Sequence, residues 1–350
     1  MILILTAFLT VLPDFAVSTS SRFPEIGTFE GSAISSSLLR LGDWGIAHSG
    51  VYSTKTPTER FFQLLIFDFA AAAYLGDAIH ITGKGSRAKE FGATDLRYRV
   101  YLNSPLMGWQ WREPTLSYVP ERQQSQDELL WIASAGFEAN YLSADYLSRN
   151  GHAMLYLYNR FYLPVLMLSR RDEVMDAETF FNRYREGDEL ISYLLLLKDG
   201  DHGAVAGEFD RDLLMVWLHE ALNTVNWRAL KALWGYVHDG RPPLVDDSSF
   251  AVSTSYIPTP YGFQGIYEFG GRALRVRLRV SDHRLESFGL LRHGRTSWQI
   301  EVFRPEGVHL RVERLWRNRF MAYVEGKTAG FVPGMPRRAA FCVGIGLKFN

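Results

Sequence analysis

The sequence predicts an α+β fold in which a helical N-terminal part precedes an antiparallel sheet. Apolar residues recur with helical spacing up to Pro243, and beyond it they alternate with polar residues at every second position. About eight alternating segments lie between 251 and 350, separated by short turns that contain Gly, Asp or Pro. We therefore expect a helical domain over residues 19–243 and a β domain over residues 244–350.

The N-terminal residues 1–18 have the composition of a secretory signal peptide. Residues 2–12 are apolar apart from two threonines, and Ala16, Val17 and Ser18 provide small residues before a cleavage site after Ser18. The basic residues that usually follow the first methionine are missing. Removal of residues 1–18 on export is the prediction. A buried N-terminal strand or helix, or a misassigned start codon, is the alternative.

The helical domain is expected to contain five helices, at 61–74, 125–148, 153–169, 177–198 and 209–238. Ser125 and Glu128 have the spacing of a capping box at a helix start. Gly240 and the prolines after it are a stop signal for the last helix. The apolar segment 61–74 is shorter than the ~20 residues that a membrane helix needs, so it predicts a buried core helix.

Charge is distributed unevenly along a chain whose net charge is zero. Residues 271–350 contain 16 Lys and Arg against 6 Asp and Glu, and fourteen of the basic residues are arginine. Such a bias is typical of contact with anionic partners such as acidic lipids, but arginine can also simply fill solvent-facing strand positions. Motifs for nucleic-acid recognition are missing from the sequence, so a nucleic-acid partner is not expected. The single cysteine, Cys342, excludes an intramolecular disulfide.

The predicted strand at 274–280 shows how the arginines are placed. Arg275, Arg277 and Arg279 share one face, and apolar residues share the other. A soluble sandwich would turn the apolar face inward, whereas a membrane barrel would turn it outward to lipid and keep the arginines inside. In the second case the arginines need acidic partners. The candidates are Glu286, Glu301 and Glu313.

The last ten residues alternate apolar side chains, from Phe341 to Phe349, with mostly small residues. This segment resembles the terminal strand of bacterial outer-membrane β-barrels, although Asn350 displaces the aromatic residue from the final position. The resemblance implies a sheet closed into a barrel in the outer membrane, with a soluble sandwich as the alternative. A barrel of eight strands is nearly filled by side chains, so it would anchor or bind rather than conduct.

A second resemblance concerns residues 60–145. His80 near the end of an apolar helix and Glu138 on a later helix resemble the layout of gluzincin zinc peptidases. In that family His-Glu-x-x-His supplies two ligands and the catalytic base, and a later Glu is the third ligand. Here Ile81 stands in place of the catalytic Glu, and Lys84 stands in place of the second His. The resemblance implies a zinc-peptidase-like enzyme or an inactive relative, with His80 and Glu138 as its metal ligands.

A further polar pair lies in the helix predicted at 209–238. His219 and Asn223 are one helical turn apart and share a face, so they could line a ligand-binding cleft or simply be satisfied polar groups on a helix flank. Asn223 stands where a zinc motif would place its second histidine. The sequence has no Gly-x-Ser-x-Gly nucleophile motif and no phosphate-binding loop of the usual spacing.

These observations together predict an exported cell-envelope protein, located in the outer membrane or the periplasm. Its expected role is structural, in assembly, or in ligand binding, with the β domain as anchor or support. Outer-membrane or anionic envelope components are the expected partners, and no cofactor is expected. The alternative function is the zinc-peptidase-like one. The sequence does not predict an oligomeric state.

Overall fold

A computed structural model of the chain describes residues 15–20, 56–101, 113–149, 151–246, 250–271, 273–281, 284–292, 296–303, 307–316, 320–329, 337 and 339–349. It confirms the predicted α+β class, with helices before Pro243 and antiparallel strands after it. The predicted signal peptide lies outside the described residues except for residues 15–18. These belong to a strand, β1 (Phe15–Ser20), which cleavage after Ser18 would divide.

Seven helices form the N-terminal part of the described chain. They are α1 (Pro57–Glu90), α2 (Gln126–Leu147), α3 (Ala153–Met175), α4 (Ala177–Glu186), α5 (Glu189–Leu197), α6 (His202–Leu222) and α7 (Thr224–Asp239). A π-helical stretch, Leu64–Asp68, interrupts α1. The predicted capping box at Ser125 and Glu128 is present, and Gly240 ends α7 in the left-handed conformation.

Two of the predicted helices are each divided in the structure. The segment predicted at 177–198 breaks at Gly187, which has a φ of +83°, and Asp188 then caps α5 by accepting from the Ile191 N–H. The segment predicted at 209–238 begins earlier, at His202, and breaks at Asn223. The Asn223 side chain caps α7 by accepting from the Val225 N–H. Capping side chains that lie inside an apolar pattern explain both errors.

A small hairpin in the helical domain was not predicted. The strands β2 (Ala93–Arg99) and β3 (Thr115–Pro120) pair with each other, with an irregularity between Thr94 and Arg97. Asp95 within it has a φ of +49°. Both strands are mostly exposed, so they lack the apolar alternation by which strands are recognised.

The eight strands predicted after Pro243 are confirmed. They are β4 (Ala251–Thr259), β5 (Gly262–Gly270), β6 (Leu274–Ser281), β7 (Arg284–Arg292), β8 (Thr296–Phe303), β9 (Gly307–Trp316), β10 (Phe320–Lys327) and β11 (Ala340–Phe349). Each strand pairs antiparallel with the next in sequence, and β1 adds to β11. Among the described residues the sheet is open, with β1 and β4 at its edges.

The two faces of this sheet differ sharply. The register aligns Arg277 with Glu268, Gly289 and, further across the sheet, Glu301, His309 and Lys327 on what we call the inner face. The opposite face, which we call the outer face, exposes a set of large apolar residues. They are Leu274, Phe288, Ile300, Val302, Val308, Leu310, Val312, Trp316, Phe320, Val324, Phe341, Val343 and Ile345.

The helices pack against the sheet mainly at β4 and β5. Tyr141 and Leu142 of α2 contact Ile257 and Ile266 on the inner face. On the outer face, the His219 ring of α6 lies 5.3 Å from that of Tyr256. Strand β4 is thus held between helices on both of its faces, and Ala251 and Phe263 belong to the same apolar core as the helices.

One edge of β4 pairs with no other strand among the described residues, and helix side chains cover it. Thr224 exchanges two hydrogen bonds with the backbone of Val252, and Asn223 donates to the Thr254 carbonyl at 3.2 Å. Pro258, which has no N–H to donate, faces the same edge. Because unpaired edges invite pairing with other chains, these contacts both protect the edge and occupy the position of a closing strand.

One helix in the described part of the chain, α1, is long and apolar enough to cross a membrane by length and composition alone. More than half of its most apolar stretch, 56%, is buried within the protein. It also packs closely on α2, because a Cβ on Gly83 would lie 2.4 Å from the Ala139 Cβ. The buried stretch of α1 therefore packs as a core helix does, but the predicted segment 61–74 is only partly buried, because Phe61, Phe62, Phe67 and Tyr74 are exposed.

Candidate functional site

His80 lies at the centre of a buried polar cluster between α1, α2 and α5. Its Nδ1 is 3.1 Å from Oδ1 of Asn140, and its Nε2 is 2.9 Å from Oε2 of Glu189. The same carboxylate oxygen is 2.9 Å from Nζ of Lys84. Both nitrogens of the ring are thus bound to side-chain oxygens of the protein. We call His80, Lys84, Asn140 and Glu189 the histidine cluster.

Glu189 is the acidic member of this cluster, and its position was not foreseen. Burial raises the pKa of its carboxyl group, but attraction by His80 and Lys84 outweighs burial and lowers the pKa to about 2. Glu189 follows the capping residue Asp188 at the start of α5, where a helix favours an acidic side chain. The carboxylate therefore serves as a buried anion that joins α5 to α1 through His80 and Lys84, the two basic side chains on α1.

Glu113, which lies nearby, behaves in the opposite way. Burial and the negative charge of Asp188 raise the pKa of Glu113 to about 6, although Arg170 opposes this shift. Arg170 binds both carboxylates, and its Nε lies 2.7 Å from Oδ2 of Asp188. This group of charges is the part of the helical domain that we expect to respond to mildly acidic pH.

Glu138, the other residue singled out by the zinc-peptidase resemblance, belongs to a separate ion pair. Nη2 of Arg87 donates to both of its carboxylate oxygens, at 3.0 and 3.1 Å. Arg87 also binds Glu90 and lies 4.7 Å from the centre of the Trp131 ring. His80 and Glu138 thus sit on neighbouring helices, but each is bound to a different charged partner.

This geometry does not fit a catalytic zinc site. Zinc needs ligand atoms with free lone pairs at about 2.0–2.2 Å, whereas both nitrogens of His80 and both oxygens of Glu138 are bound to protein groups. Lys84 adds a positive charge beside His80. Throughout the residues that the structure describes, no group of three His, Cys, Asp or Glu residues could hold a metal ion.

His219 and Asn223 lie in another part of the molecule, where α6 and α7 meet the sheet. Nδ1 of His219 is 2.7 Å from the Met215 carbonyl oxygen, and its Nε2 is 2.9 Å from the Tyr267 hydroxyl. Asn223 is fully buried and binds the β4 edge. These two residues connect helices to the sheet, and the structure does not bring them together with the histidine cluster.

A buried ion pair between Arg160 and Glu220 was also missed from the sequence. Nε and Nη2 of Arg160 donate to the two carboxylate oxygens at 2.9 and 2.7 Å, and Arg160 also binds Ser255 and the Thr254 carbonyl of β4. Asn226 adds a hydrogen bond to Glu220 at 2.8 Å. The position of Arg160 inside the apolar segment 153–169 could have predicted such a pair, because buried charges are normally paired.

Beside this ion pair lies a narrow cavity between α2, α3, α6 and β4. Its lining includes Asn140, Asn159, Arg160 and Glu220, and it has space for about one water molecule. Within the part of the chain that the structure describes, the Asn140 amide nitrogen and the Asn159 amide oxygen have no hydrogen-bond partner. The cavity is too small for an organic substrate, so its polar lining is that of a buried-water site.

The three arginines of β6 lie on the inner face and are almost completely buried. Arg279 donates to Glu301 at 2.6 Å, and Arg277 binds Glu268 and also Asp145 of α2, at 3.3 Å. Arg275 lies 3.9 Å from Glu268. Of the predicted acidic partners, Glu301 takes this role for Arg279. The arginines expected to face external anions are thus compensated by carboxylates of the protein itself.

The inner-face network extends across the sheet. His309 lies 2.7 Å from Glu325, Arg311 binds the same carboxylate at 3.3 Å, and Glu301 accepts a hydrogen bond from Ser287. Buried charges paired in this way hold their positions, because breaking one pair leaves its partner uncompensated. The buried groups described here form structural ion pairs, whereas the apolar outer face is open to a partner.

No protein-family model matches the chain, and no similar curated protein or solved structure was found.

Proposed function

We propose that this chain is an exported cell-envelope protein that is anchored in the outer membrane through the outer face of its sheet. Its role is structural, in assembly, or in ligand binding rather than catalytic. The observation that carries the proposal is the orientation of β6 to β11. On their inner side Arg275, Arg277, Arg279 and Arg311 are paired with carboxylates, whereas their outer side exposes mainly apolar residues, together with Arg292 and Arg314. This orientation supports the membrane alternative over a soluble sandwich, which would bury the apolar side.

The size of the outer face also supports lipid contact. Soluble monomers rarely expose a contiguous apolar patch of more than a few hundred Å². Here the thirteen large apolar residues of the outer face lie on six adjoining strands. Val302, for example, is 54% exposed. A surface of this kind is expected to have a partner, and hydrocarbon is the partner that requires no complementary shape.

Strand length and aromatic placement agree with a bilayer. Strands β6 to β11 contain 8 to 10 residues, close to the ~9–11 that a tilted strand needs to cross the hydrocarbon region. Trp316 and Phe320 face each other at the end of β9 and the start of β10, as the register shows. Aromatic residues at strand ends are typical of the headgroup level of membrane proteins.

Export and outer-membrane location rest on the sequence of residues 1–18 together with this surface. The inner face adds a functional consequence, because its ion pairs fix the helical domain to the sheet. A membrane anchor that carries a rigid helical domain is suited to holding that domain at the membrane surface. The histidine cluster and the Arg160–Glu220 pair then stabilise the interior of that domain.

Membrane fractionation of cells that produce the full chain tests this proposal. The wild-type protein should sediment with outer membranes and stay there through washes with high salt and with alkaline carbonate. Val302→Arg should weaken this association, because an arginine on a lipid-facing strand costs about 2–4 kcal/mol at the bilayer centre. Val119→Arg is the matched control, since Val119 of β3 is an equally exposed valine outside the sheet.

Two results would contradict the proposal. The first is release of the wild-type protein from membranes by salt alone, which would indicate a peripheral or soluble protein. The second is equal membrane retention of the Val302→Arg and Val119→Arg variants, because the outer face would then have no special relation to lipid. Circular dichroism of both purified variants verifies that the helical content is unchanged.

A further inference from the structure

Helices α6 and α7 carry an apolar stripe that faces away from the protein core. On α6 it consists of Leu214, Leu218 and Leu222, which are four residues apart. The opposite side of the same helix supplies Phe209, Leu213 and Val216 to the core. A surface helix normally has a polar outer side, so an apolar outer side indicates that α6 contacts a second apolar environment.

The stripe continues on α7, where it changes in composition. Trp227, Leu230 and Trp234 follow one another at intervals of three and four residues, and Trp227 and Trp234 are 61% and 66% exposed. Trp227 donates its indole N–H to the Ala221 carbonyl at 3.0 Å, which fixes the ring beside the end of α6. Tryptophan is enriched where a protein meets the membrane–water interface.

The charges of α7 match those of an anionic membrane surface. Helix α7 has two basic residues, Arg228 and Lys231, and one acidic residue, Asp239, which is its last residue. Lys231 is exposed beside Leu230 on the side that carries the stripe. Helices that lie in the membrane interface combine tryptophan and leucine with lysine and arginine in this way.

The position of α6 makes the stripe continuous with the outer face of the sheet. His219 on α6 stacks against Tyr256 and lies 5.2 Å from the ring of Tyr267. Tyr267 is the direct cross-strand neighbour of Leu278 on β6. The outer surface therefore passes from the strands to α6 and then to α7 at the β4 edge, where the sheet does not continue.

We propose that α6 and α7 form a second lipid-contacting element, which extends the outer face beyond β4 and places Trp227 and Trp234 among anionic headgroups. This inference rests on the proposed membrane anchoring of the sheet. The two helices take the place of closing strands on the apolar side, while their side chains satisfy the β4 backbone. The partner is an anionic bilayer rather than a second protein.

Site-specific fluorescence on the reconstituted full chain tests the inference. In a Cys342→Ser background, single cysteines replace Leu218, Leu230, Val302 or Glu178 and are labelled with an environment-sensitive dye. Val302 reports on the sheet, and Glu178 is an exposed control on α4. In vesicles of phosphatidylcholine and phosphatidylglycerol, the labels at positions 218, 230 and 302 should shift to the blue, whereas the label at 178 should not.

The outcomes separate this inference from the proposed function. A shift at position 302 without shifts at 218 and 230 overturns the role of α6 and α7 but leaves the sheet anchored. Absence of a shift at 302 overturns the proposed function itself. Shifts at 218 and 230 that occur without vesicles and depend on protein concentration would indicate a second copy of the chain as the partner, which also overturns the inference.

Lipid composition tests the headgroup preference separately. The label at position 230 should shift more in vesicles that contain phosphatidylglycerol than in pure phosphatidylcholine, and Lys231→Gln should remove most of this difference. Lys231→Arg keeps the charge and should retain it. Equal shifts in the two kinds of vesicle would contradict the proposed preference for anionic lipid, because a basic residue near an anionic surface is attracted to it.

Discussion

Individual residues of the helical domain are fixed by close approach and by charge. Gly136 on α2 faces His80 so closely that a Cβ there would lie 2.3 Å from the His80 Nε2. The ring cannot move aside, since hydrogen bonds to Asn140 and Glu189 hold both of its nitrogens. The glycine is therefore a packing requirement of the histidine cluster, and its substitution is a sensitive measure of how rigid this cluster is.

Gly136→Ala should destabilise the protein by about 1–3 kcal/mol, the usual cost of overpacking a tight core. Gly207→Ala on α6 is the matched control, because no atom lies within 4 Å of its added Cβ. That change should be neutral or stabilise by up to about 1 kcal/mol through helix propensity. Urea denaturation followed by circular dichroism measures both free energies of unfolding. Equal values for the two variants would contradict the tight packing around His80.

Glu189 should make stability depend on acidic pH. Its folded pKa of about 2 lies below its ordinary value of 4.5, so its contribution is present above pH 4.5 and is lost as pH falls towards 2. Over this range the wild type should lose up to about 3 kcal/mol more than Glu189→Gln does. Stability curves of both proteins between pH 2 and 6 measure the difference. Parallel curves would show that Glu189 is not a paired carboxylate.

Glu113 should make stability depend on pH in the direction opposite to that of Glu189. Its raised folded pKa of about 6 means that the folded state binds its proton more tightly than the unfolded chain does. Stability from this group should therefore increase as pH falls from 6 to 4.5, the reverse of the Glu189 effect. Glu113→Gln should remove this increase.

The residues of these clusters show what the sequence can and cannot reveal. His80 and Glu138 were singled out as metal ligands, and their actual partners, Glu189 and Arg87, were not foreseen. Glu189 is 109 positions from His80, and Arg87 is 51 positions from Glu138. Helical spacing relates only residues three or four apart, so no local pattern reports these pairings.

At the scale of elements, β4 is the strand whose environment decides the shape of the sheet. Its backbone groups at Val252 and Thr254 face helices, and those at Ala251 and Ser253 face β5. The alternating pattern after Pro243 predicted the eight strands well, because apolar and charged faces are separated on each of them. It could not predict that the edge of β4 would be covered by Asn223 and Thr224, since this depends on where α7 begins.

Thr224→Val should show whether the Thr224 hydroxyl protects the β4 edge, because the side chains of valine and threonine have nearly the same size. The substitution removes the hydroxyl that accepts from the Val252 N–H at 3.0 Å, and a buried group left without its partner costs about 1–3 kcal/mol. Hydrogen exchange should become faster at the Val252 amide and change little at Ser253, whose backbone faces β5. Unchanged exchange at Val252 would mean that the edge is protected by something other than Thr224.

Two helix boundaries were also missed in the sequence. Gly187 followed by Asp188, and Asn223 followed by Thr224, are end and start signals inside apolar segments, and both breaks were read as continuous helix. Their effect is to turn the chain so that α5 presents Glu189 to His80 and α7 presents Thr224 to β4. The capping residues therefore position functional contacts as well as ending helices.

At the scale of the whole molecule, the helical and β parts form one cooperative unit. They share an apolar core that includes Phe209, Ala251 and Phe263, and the ion pair from Asp145 to Arg277 links α2 to the inner face. The division near residue 243 therefore separates two kinds of secondary structure. It does not separate two independent cores.

Asp145→Asn should lower the free energy of unfolding by about 1–3 kcal/mol, because it weakens a charged hydrogen bond while Arg277 keeps Glu268. Asp172→Asn is the control, since the Asp172 side chain is fully exposed and its substitution should change little. In the wild type, helix ellipticity and strand hydrogen exchange should report the same transition. Separate transitions for helices and strands would contradict a shared core.

The covered edge of β4 has a consequence for the order in which the chain acquires its structure. Helices α6 and α7 precede β4 in the sequence and contact its edge, so they are available as a template on which this strand can dock. Every later strand joins the one synthesised just before it, and such short-range additions are kinetically favourable. The sheet should therefore grow hairpin by hairpin from the helices outward, from β4 to β11.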